Sequence, residues 1–224
     1  MRFRALTFAA TLSLLLSSAA RSEVQVVFVP FSPADARDAA AYRAIWDAYG
    51  ERIVASLEAR TCLRFPEAAV PALVAEDVSH SGGPEHPMRL RSSYGWDAKK
   101  STLVHELGHR HLWQLAERLD DVDGHQTLFL FLDRVWADVW GEAFAERRIR
   151  GESEWQASYD YGTAWAWARS LGADGRARLW NRLLAVNGFP SGCDGTPEPL
   201  LEAARRAPRS QDAQRITAPR AASP

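Results

Sequence analysis

Cysteine, lysine and methionine are nearly missing from this sequence. Of 224 residues two are Cys and two are Met, and among 27 basic residues only Lys99 and Lys100 are not Arg. Two cysteines are too few for a Cys-only metal site, which takes four. Neither sign of charge is in excess: 27 basic and 28 acidic residues leave a formal net charge of -1, so no overall field attracts nucleic acid or an anionic bilayer. Internal repeats are lacking as well. The apolar run from Ala5 to Leu16 is shorter than the roughly 20 residues that span a membrane. What remains, 46% hydrophobic, 25% charged and 10% aromatic residues, excludes a disordered, collagen-like or coiled-coil chain and fits one globular domain.

Arg2 and Arg4 precede that short apolar run, and Ser17, Ser18, Ala19 and Ala20 follow it before the first acidic residue, Glu23. This is the layout of a secretory signal peptide, and no Cys follows to accept a lipid. Residues 1–22 are expected to be removed, leaving a secreted or periplasmic monomer without stable membrane insertion. In an oxidising compartment Cys62 and Cys193 are expected to form one disulfide, whose long loop is worth on the order of 4 to 5 kcal/mol in the chain-entropy picture.

Val24 to Phe31 is a β-branched and aromatic run that reads as a strand, and Ser32-Pro33-Ala34-Asp35 after it reads as a helix start. Tyr42, Ile45, Trp46, Tyr49, Ile53 and Leu57 recur at helical steps and predict a helix reaching about Arg60. Two further strands are expected, Val70 to Val78 and Met88 to Tyr94, separated by the Gly/Pro-rich loop Ser81 to Pro87. Helices are expected from Ser101 to about Leu119, from about Thr127 to Arg150, and from about Gly162 to Asn187. The end from about Arg205 to Pro224 has no apolar period and reads as disordered. The fold class is therefore α+β, with one domain over residues 23–204 and a mostly helical C-terminal part.

One pentad carries chemistry: His105-Glu106-Leu107-Gly108-His109 is HExxH. On a helix the two imidazoles lie one turn apart on one face and can converge on a zinc ion, while Glu106, rotated away from His105, can reach a water at the metal without becoming a ligand. A catalytic zinc takes a third protein ligand. Leu112 and Leu115 stand where a metzincin continuation would place Gly and His, so that class is excluded. Glu142, in Trp140-Gly-Glu-Ala-Phe-Ala-Glu146, is the expected third ligand, because a carboxylate on an apolar stretch needs a cationic partner. Asp160, Asp138 and Glu146 are alternatives. His111 falls on the other side of its helix, and His80 and His86 fall in a loop.

HExxH followed by Gly141-Glu142-Ala143-Phe144-Ala145 resembles the gluzincins, zinc metallopeptidases with an HExxH helix and a Glu from the following helix. The resemblance implies a zincin-like domain: a small mixed sheet whose edge strand lies over the HExxH helix, here Met88 to Tyr94, and receives an extended peptide by strand addition. It implies one zinc per chain on His105, His109 and Glu142, with Glu106 as general base and Glu146 as an acceptor for a ligand imidazole. The oxyanion-stabilising residue is expected to be Tyr159 or Tyr161, with His125 a weaker candidate. The expected function is an exported peptidase acting on peptide or protein substrates, in which Glu106 activates a zinc-bound water. Two alternatives stay open: an amidase of cell-wall peptides, and an inactive zincin-fold binding protein.

Overall fold

The computed structural model describes residues 24–83, 85–155 and 158–190. The expected leader (1–22), the tail (205–224) and Cys193 lie outside the described residues. In β1 (Gln25–Pro30) Val26 and Phe28 point inward and Val27 and Val29 outward, the two-residue alternation of a strand. A short 3-10 turn, Pro33–Asp35, leads into α1 (Ala36–Thr61). Its start is fixed by Asp35, whose carboxylate accepts from both the backbone N–H and the hydroxyl of Ser32 at 3.1 and 2.6 Å. The stripe foreseen on α1 is buried, with Tyr42 against Phe28 at a ring-centroid distance of 6.0 Å. The helix ends at Cys62, whose left-handed backbone (φ 58°) stops it.

β2 (Ala69–Ala75) runs parallel to β1, and β3 (Met88–Arg91) parallel to β2, in the order β1-β2-β3. The described sheet is thus parallel throughout, not the mixed sheet expected. The connections explain it: α1 carries the chain back to the end where β1 began, and residues 76–87 do the same for β3 without a helix. Among the described residues antiparallel pairing survives only as a bridge between His80, which lies in no strand, and Arg89 of β3.

That bridge closes the outer edge of β3. The N–H and C=O of Arg89 pair with His80 at 2.8 and 3.1 Å. The N–H of Arg91 donates to Ser79 Oγ at 2.9 Å, and its C=O accepts from the Tyr42 hydroxyl at 2.9 Å. The edge read as a platform for strand addition offers no open ladder groups at these residues.

From Trp96 onward the described chain is helical: α2 (Trp96–Leu112), α3 (Gly124–Phe129), α4 (Leu132–Trp140), α5 (Glu142–Ser153), α6 (Tyr161–Ser170) and α7 (Gly172–Val186). The helix expected from Thr127 to Arg150 is three helices, and the one from Gly162 to Asn187 is two. Gly141 (φ 92°) and Gly172 (φ 62°) occupy positive-φ backbone that a continuous right-handed helix cannot include. Among the described residues no helix is long and apolar enough to cross a membrane.

The sheet's inner face, α1 and α2 share one core with α4, where Val135, Trp136 and Leu132 are fully buried. Asp138 of α4 locks that helix to α1. Its carboxylate accepts from Arg60 Nε and Nη2 at 2.8 and 2.7 Å and from Ser56 Oγ at 2.7 Å, and its backbone carbonyl accepts from Arg52 at 2.6 Å. The carboxylate once considered as a metal ligand therefore holds two helices together. Removing one partner of a largely buried pair leaves the other charge uncompensated, so Asp138→Ala should destabilise the fold by about 3 kcal/mol, read as a lower urea midpoint with an unchanged slope. A loss below 1 kcal/mol, the range of exposed pairs, would show the clamp to be solvent-screened.

Candidate metal centre

α2 runs through the core with Leu103, Val104 and Leu107 fully buried, and this fixes the opposite rotation of His105 and His109. Lys99 anchors the first turn: its buried ammonium donates to the carbonyls of Ser92 and Tyr94 and pairs with Asp38 at 2.9 Å. One turn apart, the rings of His105 and His109 have centroids 4.9 Å from each other.

The third group beside them is an imidazole. α3 begins with a reciprocal cap, in which Asp123 Oδ1 accepts from the Gln126 N–H at 2.8 Å and Gln126 Oε1 accepts from the Asp123 N–H at 3.0 Å. The cap sets the direction of this short helix and presents His125 from its first turn. The His125 ring lies 5.4 Å from that of His105 and 4.8 Å from that of His109. One nitrogen from each of the three histidines lies within 4.8 Å of the others. Gly108 makes the approach of α3 possible, since a Cβ there would stand 2.5 Å from Leu128 Cδ1, on the helix that bears His125.

A second feature missed from the sequence is Glu152, at the end of α5. Its Oε1 lies 3.7 Å from His105 Nδ1, and its Oε2 accepts from the Trp165 indole N–H at 2.9 Å. Trp165 in turn stacks on Phe129 of α3, with centroids 3.9 Å apart and planes within 7°. A carboxylate on the Nδ1 side favours the tautomer that leaves Nε2 for a cation.

The surroundings tune protonation. Burial, then the neighbouring charges of His105, His125 and Arg118, hold His109 well below the usual imidazole range. Burial and the charge of His105 bring His125 down to about 4, against the pull of Asp123 and Glu152. Burial opposes the charged form of His105 too, but the Glu152 carboxylate, aided by Glu106, outweighs it and raises that pKa. Glu106 is buried beside the trio; desolvation lifts it to about 7, with His105 pulling down and Glu152 pushing up. Two neutral imidazoles and a third oriented by a carboxylate form the donor set that a divalent metal takes. The site therefore fits a metal ion by its own chemistry.

Two clefts reach the trio. One of about 250 Å³ is lined by His105, Glu106, Glu152, Tyr94, Tyr159 and Tyr161, among others. The other, of about 330 Å³, is reached by His109. Tyr159 and Tyr161 both stand beside His125, with ring centroids at 4.2 and 5.1 Å. They differ in what their hydroxyls do. That of Tyr159 is engaged by the Asp123 carboxylate at 2.8 and 2.9 Å, whereas that of Tyr161 lies 3.4 Å from His125 Nε2.

The structure does not bring Glu142 to His105 and His109. It opens α5 with a side chain 73% exposed, 3.4 Å from Arg134. Glu146 pairs with Arg169, and Asp160 caps α6 by accepting from Thr163. His111 points away from the trio as its spacing required: it is fully buried, its Nε2 2.7 Å from Thr61 Oγ1. His80 and His86 are exposed. No protein-family model matches the chain, nor does any curated protein or solved structure.

Gly108→Ala tests the geometric basis of the centre. Leu128 is fully buried and has little room to yield, so the added methyl should displace α3, cost about 1 to 3 kcal/mol and weaken the binding of an added divalent metal in a competition titration with a chelator. Unchanged metal affinity would mean that a Leu128 rotamer absorbs the methyl and that the distance between α2 and α3 does not set the site.

Proposed function

We propose that this chain is a zinc-dependent hydrolase of amide bonds, a peptidase, with His105, His109 and His125 as the metal ligands and Glu106 as the general base. The observation that carries the reading is the position of Glu106. It is the residue next to a ligand histidine, it is buried, and it lines the same cleft as His105 and Tyr161. A purely structural metal site has no use for a desolvated carboxyl poised to gain and lose a proton. When bound, the zinc ion supplies Lewis-acid polarisation of a water and of the substrate carbonyl.

The residues of the chain do the rest. Glu106 accepts the proton of the attacking water and returns it to the leaving amine, a shuttle for which a pKa near neutrality is suited. Glu152 steadies His105, and Trp165 steadies Glu152. Tyr161 supplies a hydroxyl toward the cleft, where it can donate to the developing oxyanion, while Tyr159 holds Asp123 and thereby the cap that aims His125. The likeness to the gluzincins then rests on the HExxH pentad, with an imidazole of α3 taking the place of the carboxylate implied by that family.

Substitutions separate the roles. Glu106→Gln should retain one zinc per chain and lose about 10² to 10⁴-fold in kcat, because a nearly isosteric amide cannot accept the proton. His125→Ala should lose zinc affinity and activity together, and Glu142→Gln should keep both; elemental analysis with a peptide-hydrolysis assay decides. Zinc content that survives His125→Ala but falls with Glu142→Gln restores the carboxylate as third ligand. Activity within a few-fold of the parent in Glu106→Gln removes the peptidase reading.

The pH profile adds a second check. Glu106 works deprotonated, so kcat/KM rises with pH through its pKa, which lies at about 7 without metal. A bound dication stabilises the carboxylate and moves that limb to lower pH. The acid limb of the zinc enzyme should therefore fall below 7, and a limb above 7 would assign the titration to another group.

A further inference from the structure

The cleft of about 330 Å³ touches the trio through His109 and is walled by Leu112, Trp113, Leu115 and Leu183, with one cation, Arg118. Residues 115–119 belong to no helix or strand, yet the backbone around Arg118 is held. The Asn187 side chain accepts from the Glu117 N–H at 2.8 Å and donates to the Glu117 carbonyl at 3.0 Å. On the other side Leu119 is buried in the core. Between these anchors the Arg118 side chain is exposed, and among the described residues it has no ion pair or hydrogen bond. The cleft's one carboxylate, Glu117, does not pair with it. Arg118 Nη1 lies 3.8 Å from where a Cβ on Gly124 would stand, and Gly124 directly precedes His125. A fixed stem, an unpartnered guanidinium and apolar walls thus meet next to two of the three histidines.

A guanidinium presents a fork of N–H donors that matches a carboxylate, and apolar walls match an aliphatic or aromatic side chain. We propose that Arg118 is a specificity-determining residue that receives a carboxylate of the substrate, so that the favoured substrates are peptides with a carboxylate beside an apolar residue close to the scissile bond. This rests on the peptidase reading. The carboxylate is the C-terminal one or that of an acidic side chain, and both offer Arg118 the same two oxygens.

Fluorescence anisotropy with the zinc-loaded Glu106→Gln protein tests it, since that variant keeps the site without consuming the ligand. The probes are a short dye-labelled peptide ending in Leu as the free acid, the same peptide as its C-terminal amide, and the amide with Glu next to the Leu. A carboxylate should tighten binding about 10- to 100-fold, the worth of a charge-assisted hydrogen bond. A gain in the acid alone assigns the terminal carboxylate, and a gain in the Glu-containing amide assigns the side chain. Adding Arg118→Gln should erase the gain with one zinc per chain retained, and Arg118→Lys should keep part of it. Equal affinity for the three peptides, binding of none of them, or a preference that survives Arg118→Gln overturns the proposal. Should the preference depend on Arg118 while the protein with Glu106 intact cleaves none of the peptides, the peptidase reading fails and the carboxylate site stands.

Discussion

The structure around the candidate centre depends on keeping five titratable side chains together: His105, Glu106, His109, His125 and Glu152. Burial penalises the charged form of the three histidines and of Glu106, and imidazolium groups in contact repel. The arrangement meets this by division of labour. His109 and His125 are held neutral, Glu106 is drawn toward its protonated form, and Glu152 has an indole N–H as well as His105 to face. A dication among the three nitrogens relieves the same tension from the other side, by giving the carboxylates a counter-charge. The aromatic stack of Trp165 on Phe129 follows from this need: it ties the helix that steadies Glu152 to the helix that carries His125.

α2 makes the cluster possible because it serves three neighbours at once. Leu103, Val104 and Leu107 pack into the core, His105 and His109 face α3, and Arg110 and His111 face the segments that lead into and out of the sheet. Arg110 is fully buried, forks onto Glu67 and donates to the carbonyls of Ser81 and His86, at 2.8 and 3.1 Å. The loop before β3 is thereby tied to the last turn of the HExxH helix. This tie holds His80 close to Arg89, and so helps to close the edge strand.

How far the sequence revealed this depends on the range of the interactions. The first strand and α1 were legible because a local period and a helix start specify them, whereas α2 was legible only in its middle: it begins at Trp96 with no side-chain cap at Gly95 and ends at Leu112, not at the expected Ser101 and Leu119. The HExxH pentad was legible because its partners lie one helical turn apart. His125 was not, for it belongs to a helix of six residues that follows an irregular segment, and only the close approach at Gly108 brings it to the pair. The Asp123 cap was readable in the sequence, as Asp followed three residues later by Gln, but nothing local says where that helix will point. Glu142 drew attention for the converse reason. On one unbroken helix it would share a face with Val135 and Val139, whereas the break at Gly141 starts a new helix and turns the carboxylate to solvent and Arg134. Glu152 was overlooked because α3, α4 and most of α5 separate it from His105 along the chain.

The closed edge of β3 also constrains how a substrate can lie. With the backbone groups of Arg89 and Arg91 already paired, an extended peptide is not aligned by adding a strand there, and on the peptidase reading recognition falls to the two clefts that reach the trio. His105 and Glu106 open on one cleft and His109 on the other, and the two histidine rings are only 4.9 Å apart. An extended chain advances about 3.3 to 3.6 Å per residue. On the peptidase reading, a peptide crossing from one cleft to the other would place a group bound beside Arg118 within a few residues of the bond next to Glu106. Selection by the guanidinium of Arg118, whose backbone is held while its side chain is exposed, would favour substrates by the charge near the cleavage point and leave more distant residues unread. Where the β3 edge is closed, the main-chain register that strand addition supplies is lost, and on the same reading a carboxylate held beside the histidine trio is a physical means of restoring it.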